Sequence, residues 1–351
     1  MLDLVLSLAL AIPPVAPGRL SETGYGDPRN APFAPQYPLW TDGAVKSRWI
    51  LLPEGATIDT TDPDHWIFPV GTKLWKEFAF GGRKVETRLS WRASETDWVF
   101  ATYVWNDAQT EAVLAPEAGV RNAVEIAPGK RHSIPGTLDC RVCHESGPDR
   151  VLGFNAIQLS DDRDPLAPHA EPLRPELLTL RSLVQSGRLA PDRREWVERP
   201  PRIDARSPIE RAALGYLSGN CGHCHNAKGS LAHLGLVLAH ETAAGSAPVL
   251  ASAVDVPGRF PVPGVAADAS RRVAPGDPSA SAVAYRMRSR RPSSQMPPVG
   301  TVLADDEAVR LVEAWIAQLS GQGQGFVLGR AFPALSVPSP PSTPEATPVV
   351  R

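Results

Sequence analysis

The sequence predicts an α+β multidomain chain, with an N-terminal antiparallel β domain followed by a mostly α-helical domain. Three observations predict it. Aromatic and β-branched runs of strand length fill the first part of the chain, and two capped amphipathic helices bracket the last third. The length of 351 residues suggests two domains, possibly three, at about 150 residues per domain.

The β domain is expected over residues 37–147. Seven of the nine Trp fall here: Trp40, Trp49, Trp66, Trp75, Trp91, Trp98 and Trp105. Ser47–Leu52, Lys73–Phe80, Lys84–Trp91 and Trp98–Trp105 are rich in β-formers and of strand length. Lys84–Trp91 alternates, with Val85, Thr87, Leu89 and Trp91 on one face and Lys84, Glu86 and Arg88 on the other. Gly81-Gly82 between two such runs reads as a two-residue hairpin turn. The Trp density is read as sheet core rather than as a sugar or quinone site.

Residues 148–206 are rich in Pro and Arg and read as a connector wrapped over the surface. One helix is expected from Glu176 to Ser186, with Leu177, Leu180 and Val184 on one face and Gly187 as its stop. The helical domain is expected over 207–320. Ser207-Pro208-Ile209-Glu210 is a capping box with Pro at the first helical position, and Gly219 is the expected stop. A terminal helix begins at Asp305 or Asp306, carries Ala308, Leu311, Val312, Trp315, Ile316 and Leu319 as its apolar stripe, and stops at Gly321. The Pro/Ser/Thr-rich stretch 332–351 reads as a disordered tail.

Composition excludes several classes. A net charge of −2 provides no general field for nucleic acid. A mean hydropathy of −0.17 argues against a polytopic membrane protein, and no transmembrane span is expected. Proline, at 37 residues, is about twice its average usage and predicts long extended connections. Leu4–Ile12 is an apolar run too short to span a bilayer; residues 1–20 read as a possible signal segment, although Asp3 precedes the run and no Lys or Arg does.

All four cysteines fall in two copies of one pattern, Cys140-Arg141-Val142-Cys143-His144 and Cys221-Gly222-His223-Cys224-His225. C-x-x-C-H is the attachment signature of c-type haem. Two thiols at this spacing suit thioether bonds to the two vinyl groups along one porphyrin edge, and the adjacent His ligates iron from the proximal side. Cys140, Cys143, Cys221 and Cys224 are therefore the candidate attachment residues for two covalent haems, with His144 and His225 as candidate iron ligands. A Cys₄ zinc site would not require His after each pair, and a thioredoxin-like dithiol explains one copy but not two.

Gln295-Met296-Pro297-Pro298 lies after the second motif and before the terminal helix, which makes Met296 the candidate sixth ligand there. The first motif has no such loop. His65, His132, His169, His233 and His240 are its candidate distal ligands, Met287 is a spare Met, and an open sixth position is also allowed. Arg271, Arg272, Arg286, Arg288, Arg290 and Arg291 make the Met-loop region basic; propionate pairing or plain solvation is the expected use, with steering of an acidic partner as the alternative. Asp161, Asp162 and Asp164 read as a solvated loop rather than a cation site.

On these residues, 207–320 resembles a small class I cytochrome c domain: helix, CGHCHNAKGS, VAPGDPSASAVAYRM, MPP and terminal helix. The upstream segments YPLWTDGAVKSRWILLP, FPVGTKLWKEF, ETRL, YVWN, CRVCH and VLGFNAIQLS resemble a poorly characterised family of bacterial haem-binding proteins that joins a β domain to C-x-x-C-H segments. The resemblance implies a cytochrome c-like second domain and haem binding without naming a substrate. The expectation is a dihaem c-type cytochrome transferring electrons to or from a redox partner protein in the periplasm or another extracytoplasmic space, since haem is attached there. A haem enzyme acting on peroxide or another small substrate through an open first haem is the alternative. A third reading makes the β domain a ligand-binding or docking module.

Overall fold

The computed structural model describes residues 14–319. The apolar run Leu4–Ile12, the terminal stop at Gly321 and the tail 332–351 lie outside the described residues. The strands are β1 (Ala31–Pro32), β2 (Val45–Leu51), β3 (Ile58–Asp59), β4 (Lys73–Phe80), β5 (Arg83–Arg92), β6 (Trp98–Trp105), β7 (Ala112–Leu114), β8 (Val120–Ala127) and β9 (Lys130–Ile134). The helices α1 (Thr137–His144) and α2 (Leu180–Gln185) follow, then strand β10 (Leu189–Ala190) and helices α3 (Glu195–Glu198), α4 (Pro208–Cys221), α5 (Ala247–Ala253), α6 (Ala282–Arg288) and α7 (Asp306–Gln318). An antiparallel sheet followed by helices makes the chain α+β. Among the described residues no helix is long and apolar enough to cross a membrane.

The main sheet has the order β1-β2-β4-β5-β6-β7, every pair antiparallel. β4 and β6 have the bounds the sequence predicts. Gly81 and Gly82 turn β4 into β5 with φ of 55° and 77°, the left-handed values a tight hairpin needs. One sheet face carries Trp75, Leu89, Ala101 and Tyr103 and is covered by Leu20, with Tyr25 and Trp49 stacked edge-on at 5.6 Å. Much of the Trp density therefore serves as core, because a twisted sheet half-covered by a short N-terminal segment needs large rings to exclude water.

The other face is charged. Arg48 pairs across to Lys76, Lys76 to Arg88 and Arg88 to Thr102, so three cations stand in one row across three strands. Arg48 is 6% exposed and Glu86, one alternation along β5, is 0% exposed. The polar half of this pattern faces inward, where α1 and the C-terminal segments cover it.

The 148–206 segment is built into the core rather than wrapped over the surface. Phe154, Leu159, Leu180, Leu183 and Trp196 pack against Ile50, Phe68 and Leu74 of the sheet side, while Ile157 and Ile203 pack with the helices. Its proline content records extended backbone, which need not be exposed backbone. The helix in this segment is shorter than expected, starting at Leu180 because Thr179 caps it through the Ser182 N–H.

α4 starts as predicted, with the Ser207 hydroxyl accepting from the Glu210 N–H at 3.1 Å. It does not stop at Gly219. The helix runs through to Cys221, and Gly215 and Gly219 instead form a groove one turn long that receives Tyr37; a side chain at either position would collide with that residue. Glycine here serves close approach, not termination. α7 is capped by Asp305, whose carboxylate accepts from the Ala308 N–H at 3.2 Å, and its stripe of Ala308, Val312, Trp315 and Ile316 is buried against α4.

Candidate functional site

The first C-x-x-C-H lies on α1. Cys140, Cys143 and His144 are three and four residues apart, so helical geometry brings them to one side. Cys140 packs against Thr102 of β6, with Sγ 3.9 Å from the hydroxyl, and the His144 ring lies 4.8 Å from the ring of Phe100. His144 Nδ1 donates to the Arg150 carbonyl at 2.7 Å. That bond fixes the tautomer and leaves Nε2 with its lone pair, the form an iron- or zinc-ligating histidine takes. Burial holds the imidazole neutral, lowering its pKa to about 4.

The second motif forms where α4 ends. The Cys224 and His225 N–H groups both return to the Cys221 carbonyl, at 3.1 and 2.9 Å, so the chain makes one more turn after the helix. Cys221 lies on the helix and Cys224 one turn on. His225 Nδ1 is buried without a hydrogen-bond partner among the described residues, an unmet polar group of the kind a bound group or water would satisfy. All four cysteines are unpaired thiols, and burial raises Cys143 to about 11 and Cys221 to about 12.

The two motifs meet. Ser146, just past the first, donates to the carbonyls of both Cys143 and His223, at 3.0 and 2.9 Å, while its own carbonyl receives the Ser230 N–H at 2.9 Å. A cavity of about 420 Å³ opens beside this junction. Cys140, Cys143, His144, Cys221, His223 and Cys224 line it, with both Met287 and Met296. The volume is within the ~300–1,000 Å³ of small-molecule sites. His225 is not in its wall, but is near the same loop: Arg286, whose charge lowers the His225 pKa after burial, accepts the Met296 N–H on its carbonyl at 2.9 Å.

The cationic row forms another wall. Arg88 is held by Glu86 at 2.7 Å and Arg48 by Glu171 at 2.6 Å. Lys76 has no ion-pair partner among the described residues; its ammonium lies 5.1 Å over the Phe78 ring. Burial, then Arg48, Lys46 and Arg88, depress its pKa well below the usual lysine value. An uncompensated cation facing a cavity suits an anionic ligand, such as a porphyrin carboxylate. The donors and walls thus fit a porphyrin: paired thiols, an imidazole with a free nitrogen, apolar rings and cations. Among the described residues no three His, Cys, Asp or Glu side chains are grouped to hold a metal ion.

The structure also sorts the weaker candidates. His65 pairs with Asp149, His169 with Asp305, His233 with the Ser230 carbonyl, and His240 Nε2 with the Asp204 N–H. Of the five only His132 lines the cavity, and both its nitrogens are taken, by Asp42 at 3.0 Å and Glu86 at 3.1 Å. Of the six arginines only Arg290 lines the cavity. Arg271 binds Asp255, Arg272 the carbonyls of Leu234 and Ser252, Arg286 the Ser294 carbonyl, and Arg288 Glu313. Asp162 accepts from Arg211, and Asp164 accepts from the Tyr37 hydroxyl and lies 3.8 Å from the same guanidinium, so both are counter-ions of Arg211 rather than a solvated loop.

Sequence reasoning missed Lys76, Arg88, Ser146 and His223 as parts of this site. Alternation flags the charged face of a strand but cannot tell a cavity from solvent. His223 did carry a signal: it occupies a free position inside the motif itself. No family model, no curated protein and no solved structure matches the chain.

Proposed function

We propose that the chain is a dihaem c-type cytochrome that transfers electrons outside the cytoplasm, with residues 207–320 as its cytochrome c-like domain. The observation that carries this is the meeting of two C-x-x-C-H segments at one cavity, joined through Ser146. Cys140 and Cys143 would hold one haem and Cys221 and Cys224 the other, with His144 and His225 as proximal ligands. Haem iron bound there supplies a one-electron couple at each of two adjacent sites, which is the chemistry of electron transfer.

The chain's own residues do the rest. The Arg150 carbonyl orients the His144 ring and raises the basicity of Nε2 through the Nδ1–H bond. The cationic row supplies charge for propionate carboxylates, and Phe100, whose ring lies 4.8 Å from that of His144, is part of the same wall. Met296 sits on a loop whose backbone Arg290 ties down at the Met296 carbonyl, 3.1 Å away, so its thioether is available as a ligand to the second iron. An extracytoplasmic location follows from where haem is attached, and a redox partner protein is implied.

A spectroelectrochemical titration tests the function. Two one-electron steps per chain, with reduced absorption bands of a c-type cytochrome, are the expected result. A protein that takes up no electrons between the potentials of common c-type cytochromes would refute electron transfer.

A further inference from the structure

The haem reading leaves the distal face of the first haem without a ligand. We propose that His223 fills it, making the imidazole between the cysteines of the second motif the sixth ligand of the haem held by Cys140 and Cys143. The inference rests on the haem-binding reading of both motifs.

His223 has no task in its own motif. Cys221 and Cys224 hold the porphyrin edge and His225 takes the iron, so the two inner positions belong to the attachment loop alone. Gly222 fills one of them as a matter of space, since a side chain there would strike the Ser218 carbonyl and the backbone of Ala239. Nothing comparable calls for an imidazole at the other.

Its position points to the neighbouring motif. His223 lines the same cavity as Cys143 and His144. Its backbone is fixed there by the Ser146 hydroxyl on its carbonyl at 2.9 Å and by the Asn226 amide at 3.1 Å. His223 is half-buried, and neither of its ring nitrogens makes a hydrogen bond among the described residues, so both are free to take a ligand.

Elimination agrees. The chain has eight histidines. Two are the proximal candidates; His65, His169, His233 and His240 are not in the cavity wall, and His132, which is, has both its nitrogens bonded. His223 is the one that remains.

Such a ligand has two consequences. The first haem becomes six-coordinate with imidazole on both faces, closed to small molecules. The distal ligand of one haem is also the residue next to Cys224, so a few covalent bonds join the two haems.

The test uses the full holoprotein. The unmodified protein should show, besides the His/Met haem, one low-spin haem with the near-infrared band of bis-imidazole iron. His223→Ala should retain two covalent haems by pyridine haemochrome and convert one to a high-spin form. Its reduced CO binding should rise from none to one per chain, and added imidazole should restore the low-spin spectrum. Absence of the bis-imidazole band in the unmodified protein, or a variant whose spin state and CO binding are unchanged, would overturn the assignment. The first result stands even if the variant does not mature. A protein without covalent haem would instead refute the haem reading itself.

Discussion

Ser146 and His223 are joined by a hydrogen bond of 2.9 Å from the serine hydroxyl to the histidine carbonyl, which locks the exit of one C-x-x-C-H segment to the middle of the other. The same hydroxyl also reaches the Cys143 carbonyl at 3.0 Å. One small side chain thus fixes the spacing of two sites that lie 81 residues apart along the chain, from Cys140 to Cys221.

Ser146→Ala should therefore destabilise the chain by about 1 kcal/mol, the ordinary worth of such a bond, leaving two carbonyls without their donor. Chemical denaturation measures it. No loss of stability would mean that the junction is held by packing alone.

The second prediction concerns Lys76, which has no ion-pair partner among the described residues and whose pKa is pushed well below the usual lysine value by burial and by Arg48, Lys46 and Arg88. Lys76→Met should stabilise the haem-free chain by about 1 kcal/mol, as removal of a functional but unfavourable group commonly does. The small loss of the contact over Phe78 works against this gain without reversing it. Denaturant midpoints of the two haem-free proteins decide it, and a destabilised variant would contradict the account.

The third is a pH dependence centred on His132. Burial opposes its charge, but the bonds to Asp42 and Glu86 outweigh burial and raise its pKa above 6.5. Its contribution to stability is complete below 6.5 and is lost as pH rises through the raised value. Glu86 runs the other way: burial again opposes, Arg88 and His132 win, and the pKa falls below 4.5, so its contribution is lost as pH falls through that lowered value. His132→Asn should cost most between pH 4.5 and 6.5, and the gap should narrow above that window. Denaturation curves across pH measure the gap; a gap that widens toward alkaline pH would refute the charged cluster. Asp42 also accepts from the Val302 and Leu303 N–H groups, at 2.8 and 3.0 Å, so this cluster ties the β domain to the loop after Met296.

The fourth separates the two methionines of the cavity wall. Met296→Ala should abolish the sulfur-to-iron charge-transfer band at the red end of the oxidised spectrum with little loss of stability, because Met296 stands on a partly exposed loop. Met287, 7% exposed and packed with Leu217 and Val312, should keep the band on conversion to Ala and cost about 2–5 kcal/mol. A band that survives Met296→Ala and vanishes with Met287→Ala would reverse the assignment.

Much of this site was legible in the sequence, and the rest failed for identifiable physical reasons. The two motifs, β4, β6, the glycine hairpin, the Ser207 cap and the α7 stripe all rest on local chemistry, and local chemistry is what periodicity and capping rules read. Gly219 misled because a glycine near a helix end is equally a stop and a close-approach position, and only Tyr37, 182 residues upstream, distinguishes them. Lys76 and Arg88 were missed because alternation separates the two faces of a strand without saying what covers either. The 148–206 segment misled because proline reports an extended backbone, while burial is decided by distant partners such as Ile50 and Leu74.

The central claim is that each motif carries one covalent haem. Its most direct test is the intact mass of the denatured, purified protein, produced in cells able to attach haem. The account predicts the mass of the processed or full chain plus two haem groups, falling to one when Cys221 and Cys224 are both replaced by Ala, and likewise when Cys140 and Cys143 are. A chain of unmodified mass, or one haem lost by neither pair of substitutions, would contradict it.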